Sequence, residues 1–268
     1  MKQTILIILL FLGVFHNPIF ANDKDSIDIK IDKALQSSML WLSEDSSHFK
    51  AETFIIYNYL ERKFNAPSIS NTEKYIENIE ANKRKYPKLF PFLRLVQSDL
   101  KITKNQLQDI SNPMNKLLAA AIWSDQVPLY DNYIEDMKHH LTLGDYYMTH
   151  VYFGIQFLKE HRNPICKTDK FKELEKESTR LLKIYVKDHP YPVDITIEAL
   201  VFLAYTNQGE KLVTEEIINQ ILDIQLKNGA WYYSKDKKVE EQHTVILAMW
   251  LLYEYRYPEA SKISWILK

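Results

Sequence analysis

His150, Asp194 and His243 occupy matching places in the sequence, each at or beside the start of a long apolar segment. The segments read THVYFGIQFL from Thr149, DITIEALVFLAY from Asp194 and HTVILAMWLLYEY from His243. If these segments are helices whose N-termini gather at one end of the molecule, the imidazoles and the carboxylate converge despite their distance in sequence. Converged, they could hold a divalent metal with one position left open for water. The same trio could instead act as a general acid-base set, because imidazole titrates near neutrality and a carboxylate fixes its tautomer. The positive ends of the helix dipoles would favour an anionic ligand there. In the plainer alternative, Asp194 is a local N-cap and the two histidines fill polar turns. No short spacing such as H-x-x-x-H ties them together as metal ligands.

Aromatic residues flank the same segment starts. Asp145-Tyr146-Tyr147 precedes Thr149, Trp231-Tyr232-Tyr233 precedes His243, and Trp250 lies within the last segment. Asp145, Tyr146, Tyr232 and Trp250 are therefore candidates for ligand contact, since aromatics around a concave rim stack on sugar rings or hold apolar chains. Packing between helices is the competing role for the tyrosines, and for Trp231 it is the preferred one. His139 and His140 are adjacent, and neighbours on a helix point about 100 degrees apart, so they read as a solvated helix end. Cys166 has no adjacent basic partner to activate it as a nucleophile. The run KDKKVEE, Lys235 to Glu241, reads as a solvated loop. A Gly-rich phosphate loop and a G-x-S-x-G elbow are both missing from the sequence, which argues against a nucleotide cofactor and a serine-hydrolase site.

The elements that must position these residues are helices. Apolar residues recur at spacings of three and four nearly everywhere, and alternating strand patterns are scarce. Some helices are amphipathic, as in Lys170 to Lys187 and Thr214 to Leu226. Others are apolar on nearly every side: Thr149 to Leu158, Asp194 to Tyr205 and His243 to Tyr255. A helix apolar all round is buried all round, so a second layer of helices must cover these. The buried type also opens at Glu52 (ETFIIYNYL) and Asn115 (NKLLAAAIW), and successive starts lie 34 to 63 residues apart. Such periods indicate repeated helical pairs. The expected fold is all-α, a two-ring α/α barrel or helical solenoid.

Between an amphipathic and a buried helix, Gln225 to Trp231 reads Q-x-x-x-G-x-W. This resembles the QW repeat of the terpenoid cyclase and protein prenyltransferase superfamily, an α/α toroid. The resemblance implies a ring of helix pairs, complete or partial, with Gln225 capping the next helix and Trp231 stacked on it. A weaker echo runs from Trp41-Leu42 through Phe49 to the Glu52-Thr53 helix start. The superfamily's catalytic signatures do not carry over. The acidic D-x-D-D run of the cyclases is missing from the sequence, and Cys166 lacks the Asp two residues before it that the zinc-binding prenyltransferases require. His243 lies in a position similar to their zinc-binding His, but without its partners. Neither activity follows from the fold.

The first residues, MKQTILIILLFLGVFHNPIFAND, have the layout of a cleaved secretory signal ending at Ala21. The apolar run is too short for a membrane anchor, which needs roughly 18 residues, and no cysteine near the cut allows lipid attachment. Residues 22–268 are then one exported domain, placed in the periplasm, with no stable membrane span. Cys166 is the only cysteine, so no intramolecular disulfide is available despite the oxidising destination. The core must carry the stability, and at 46% hydrophobic residues it can. The formal net charge is -1 with dispersed basic residues, which argues against nucleic-acid binding. Two function classes follow. One is a binding module that holds a small molecule, glycan or peptide in a central cavity. The other is a metal- or His-dependent hydrolase or lyase acting on a cell-envelope or carbohydrate substrate through His150, Asp194 and His243.

Overall fold

The computed structural model describes residues 23–44, 51–69, 90–209, 211–234 and 239–267. The signal segment, Phe49 and most of the Lys235–Glu241 run lie outside them. The described chain is all-α. Its helices are α1 (Asp23–Glu44), α2 (Ala51–Phe64), α3 (Lys104–Gln108), α4 (Pro113–Ile122), α5 (Tyr133–Thr142), α6 (Asp145–Glu160), α7 (Asp169–Asp188), α8 (Asp194–Tyr205), α9 (Glu215–Asp223) and α10 (Gln242–Arg256). Short 3-10 turns occupy Phe90–Leu95 and Pro164–Lys167. Tyr232 and Glu240 make an isolated antiparallel bridge.

Local chemistry sets several of the helix starts. Thr103 and Gln106 form a reciprocal capping box on α3, and Asn112 caps α4 ahead of Pro113. Thr168 and Thr214 accept from backbone amides three residues on, which starts the amphipathic helices α7 and α9. α6 begins earlier than its apolar run suggests. Gly144 at φ 75 turns the chain, and Asp145 to Tyr147 form the first helical turn instead of a loop. Tyr146 therefore stands one turn before His150, on the same face.

Two kinds of helix occupy two positions. α8 and α10 are buried on nearly every side, from Thr196 to Leu203 and from Thr244 to Tyr253. Inner neighbours form a circuit: α2 packs on α10, α10 on α8, α8 on α6 and α6 on α4, and the Phe90–Leu95 turn touches both α4 and α2. Outside it, α1 lies against α10 and α9, α7 against α8 and α6, and α5 against α4, α6 and α7. An inner helix shielded in this way has no solvent-facing stripe to keep polar, which is why these segments are apolar throughout.

The Q-x-x-x-G-x-W segment is a joint between the two ends of the chain. Gln225 Nε2 lies 3.0 Å from Ala34 O, 3.0 Å from Ser38 Oγ and 3.2 Å from Gly229 O. Trp231 is fully buried and donates through Nε1 to Ile221 O at 2.9 Å. Gly229 has φ 93, and a Cβ there would stand 2.2 Å from Ser37 O. The expectation that Gln225 caps the next helix is thus corrected. Its side chain fastens to α1, and α10 starts at Glu241 without a side-chain cap. The close backbone approach of α1, which only a glycine permits, draws Gln225 that way.

Candidate functional site

The N-terminal ends of α6, α8 and α10 meet. His243 Nδ1 lies 3.0 Å from Asp194 Oδ1 and 3.2 Å from Oδ2, and the Thr244 hydroxyl donates to Asp194 Oδ1 at 2.6 Å. Asp194 is not a local N-cap. It is the first residue of α8, its side chain crosses to α10, and its own amide donates to Tyr233 O at 3.2 Å. One turn along α8, Glu198 Oε2 accepts from the Thr149 hydroxyl at 2.6 Å, and Oε1 stands 3.7 Å from His150 Nδ1. His150 Nδ1 donates to Tyr146 O at 2.9 Å, and its ring lies 3.6 Å from the Tyr146 ring, centre to centre. α2 contributes Glu52, whose charge acts on His243, Glu198 and Tyr146.

Burial and charge set these groups apart from one another. Burial works against the charge on His243, but the Asp194 hydrogen bond and the charges of Asp194, Glu198 and Glu52 outweigh it and raise the imidazole to about 9. Burial and the positive charge of His243 push His150 down to about 3, against the Tyr146 carbonyl and Asp194. Burial raises Glu198 to about 7, against the pull of His243 and the Thr149 hydrogen bond. At neutral pH the rim therefore holds an imidazolium, a neutral imidazole and a carboxyl group near its midpoint. Groups whose environments drive their pKa values apart are what acid-base assignment requires. The His243 side chain is 20% exposed, so the proton donor reaches solvent while Asp194 at 8% and Glu198 at 4% sit behind it.

Other candidates divide. Tyr146 is 41% exposed beside His150 and belongs to the rim; Tyr147, next in the chain, and Tyr233, whose carbonyl accepts from Asp194 N, are also exposed. Asp145 is exposed at the first turn of α6 and acts electrostatically on Tyr185. Tyr232 is half-buried in its bridge with Glu240. Trp250 is fully buried. Its ring packs among Tyr59, Phe153, Phe202, Tyr205 and Trp265, and its Nε1 donates to Glu254 at 2.9 Å. At the level of Trp250 the space between the inner helices is filled with side chains, so the expected central cavity is closed there. Cys166 is pushed up to about 11 by burial and the Glu175 charge, so it is a thiol at neutral pH.

Among the described residues no group of His, Cys, Asp and Glu side chains is arranged to hold a metal ion. The Nδ1 atoms of His150 and His243 are engaged by Tyr146 O and Asp194, which fixes Nε2 of each ring as the nitrogen that can exchange a proton or meet a ligand. Glu52 and Asp194 lie in the first turns of α2 and α8, so the chain's own carboxylates share the ends where an anionic ligand was expected. Glu198 was missed in the sequence, although it carries a visible signal as an ionisable residue inside a wholly apolar helix, four residues after Asp194. No protein-family model matches the chain, and no curated protein or solved structure matches it.

Proposed function

We propose that this chain is an exported α/α-toroid enzyme that carries out acid-base chemistry at one rim of its inner helices. It is a hydrolase or lyase acting on a cell-envelope or carbohydrate substrate. The toroid reading rests on the circuit of inner-helix contacts and on the two kinds of helix; the export reading rests on the first 21 residues. The observation that carries the activity is the meeting of His243 with Asp194, within the electrostatic reach of Glu198 and His150.

The roles follow from the proton inventory. His243 keeps Nδ1–H on Asp194 and presents Nε2–H, so it gives a proton to a leaving oxygen as general acid. Glu198, near its midpoint at neutral pH, takes a proton from water in a hydrolysis or from an activated C–H in an elimination. Thr149 orients the Glu198 carboxylate, and neutral His150 accepts a hydrogen bond at Nε2. Tyr146, Tyr147 and Tyr233 offer exposed ring faces to a sugar or an apolar chain. These rings favour a second reading, a binding module in which the same rim holds its ligand without turning it over.

Incubation of residues 22–268 with cell-envelope glycans and glycopeptides, followed by product mass, tests the proposal. Addition of water marks a hydrolase, and an unsaturated product of unchanged total mass marks a lyase. Turnover should disappear in His243→Ala. Ligand retention by wild type and His243→Ala alike, with no product from either, would replace the enzyme with the binding module.

A further inference from the structure

At the other end of the inner helices, the C-terminal segment Ser264-Trp265-Ile266 is held as a bound peptide would be. Its backbone makes no helix or sheet bonds, and side chains of the inner helices satisfy it instead. Glu160, the last residue of α6, accepts from Trp265 N at 3.1 Å, Ile266 N at 3.2 Å and the Ser264 hydroxyl at 2.7 Å. Arg62 of α2 donates to Ser264 O at 2.9 Å and Trp265 O at 3.3 Å. A carboxylate reading consecutive amides and a guanidinium reading consecutive carbonyls hold a backbone bent at Trp265-Ile266 whatever its side chains are. Selectivity comes from the slot that takes Trp265. Its ring lies parallel to Tyr59 at 3.9 Å and meets Phe153 and Trp250 edge-on at 5.2 and 5.0 Å.

Two further features set this segment apart from ordinary core. Between α10 and Ser264 the connector is non-helical and largely exposed at Tyr257, Pro258, Glu259, Ser261 and Lys262. Within the slot, Tyr59 OH and Trp265 Nε1 are buried without a hydrogen-bond partner among the described residues. The slot therefore carries a polar atom that this indole leaves unused, and the fit of the tail is incomplete.

We propose that Arg62, Glu160 and the aromatic slot of Tyr59, Phe153 and Trp250 form a peptide-binding site that the chain's own Ser264–Ile266 occupies in cis. In trans it takes a segment of another protein that bends where an aromatic residue precedes an aliphatic one. The site is distinct from the acid-base rim and stands whether or not that rim is catalytic.

The test uses the full chain carrying Trp265→Ala and a fluorescein-labelled peptide of residues 261–267, read by anisotropy. The peptide should bind the variant saturably and wild type far more weakly, because the wild-type tail competes. Adding Arg62→Ala should weaken binding about tenfold or more, as expected for lost charge-assisted bonds. Replacing the tryptophan of the peptide with alanine should abolish binding. Folded Trp265→Ala that ignores the peptide would overturn the proposal. Should that variant fail to fold, hydrogen exchange on wild type decides: Trp265 and Ile266 amides should exchange much faster than those of α10. Exchange of both only on global unfolding would show an integral core segment and overturn the proposal.

Discussion

The two ends of the inner helices both bury charge, but they balance it differently. At the C-terminal ends of α2, α6, α8 and α10, Lys63 pairs with Glu254 at 2.6 Å with side chains 3% and 8% exposed. Glu160 is saturated there by backbone amides and by the Tyr205 and Ser264 hydroxyls. Cations suit that end, where the helix dipoles are negative. At the N-terminal ends, Glu52, Asp194 and Glu198 surround the His243 imidazolium, and among the described residues no lysine or arginine is paired with Asp194 or Glu198. The first arrangement is what a fold needs to tolerate buried ions. The second leaves a half-titrated carboxyl and a solvent-reaching donor, which stability does not require.

Breaking the balanced end should cost the most. Lys63→Ala leaves Glu254 buried without its cation, and urea melts should show a loss of about 3–5 kcal/mol. If the loss is within experimental error, the pairing contributes nothing to stability.

At the rim the sign should differ. Burial raises Glu198 from 4.5 to about 7, so the folded state holds a proton that the unfolded chain has released. Its contribution is fully present below 4.5 and is lost as pH rises through about 7. Glu198→Gln should therefore leave stability at pH 4 unchanged and raise it by about 3 kcal/mol at pH 8. The same variant should lower turnover by about 10²–10⁴-fold. A stability loss at pH 8 would instead make Glu198 a structural group like Glu160. Asp145→Asn supplies the weak end of the series. The side chain is exposed at φ 43, a conformation asparagine tolerates. Melting and turnover should each change by less than about 0.5 kcal/mol.

Much of this was legible because helix burial follows periodicity. α8 and α10 are apolar all round in sequence and buried all round in the fold, and the clustering of His150, Asp194 and His243 followed from segments that open alike. What was not legible depended on contacts between helices distant in the chain. Tyr146 is legible in the sequence as flanking a segment start, but its place one turn before His150 depends on Gly144 starting α6 early. Glu198 was hidden by its apolar neighbours, and Trp250 was offered to a ligand because nothing in its own segment shows that Trp265 returns to cover it. Gln225 likewise finds its partners on α1, some 190 residues away in the chain. Gly229→Ala tests that joint. A Cβ 2.2 Å from Ser37 O forces backbone apart, so a loss of about 3 kcal/mol is expected from thermal or urea unfolding.

The acid-base claim is tested most directly by NMR titration of the His243 ring in wild type and in Asp194→Asn. Wild-type His243 should stay protonated through neutrality and titrate near 9, while His150 stays neutral down to about 3. Asp194→Asn should lower the His243 midpoint by about 1 unit or more. A wild-type His243 that titrates near 6.5 and does not respond to Asp194→Asn would contradict the account.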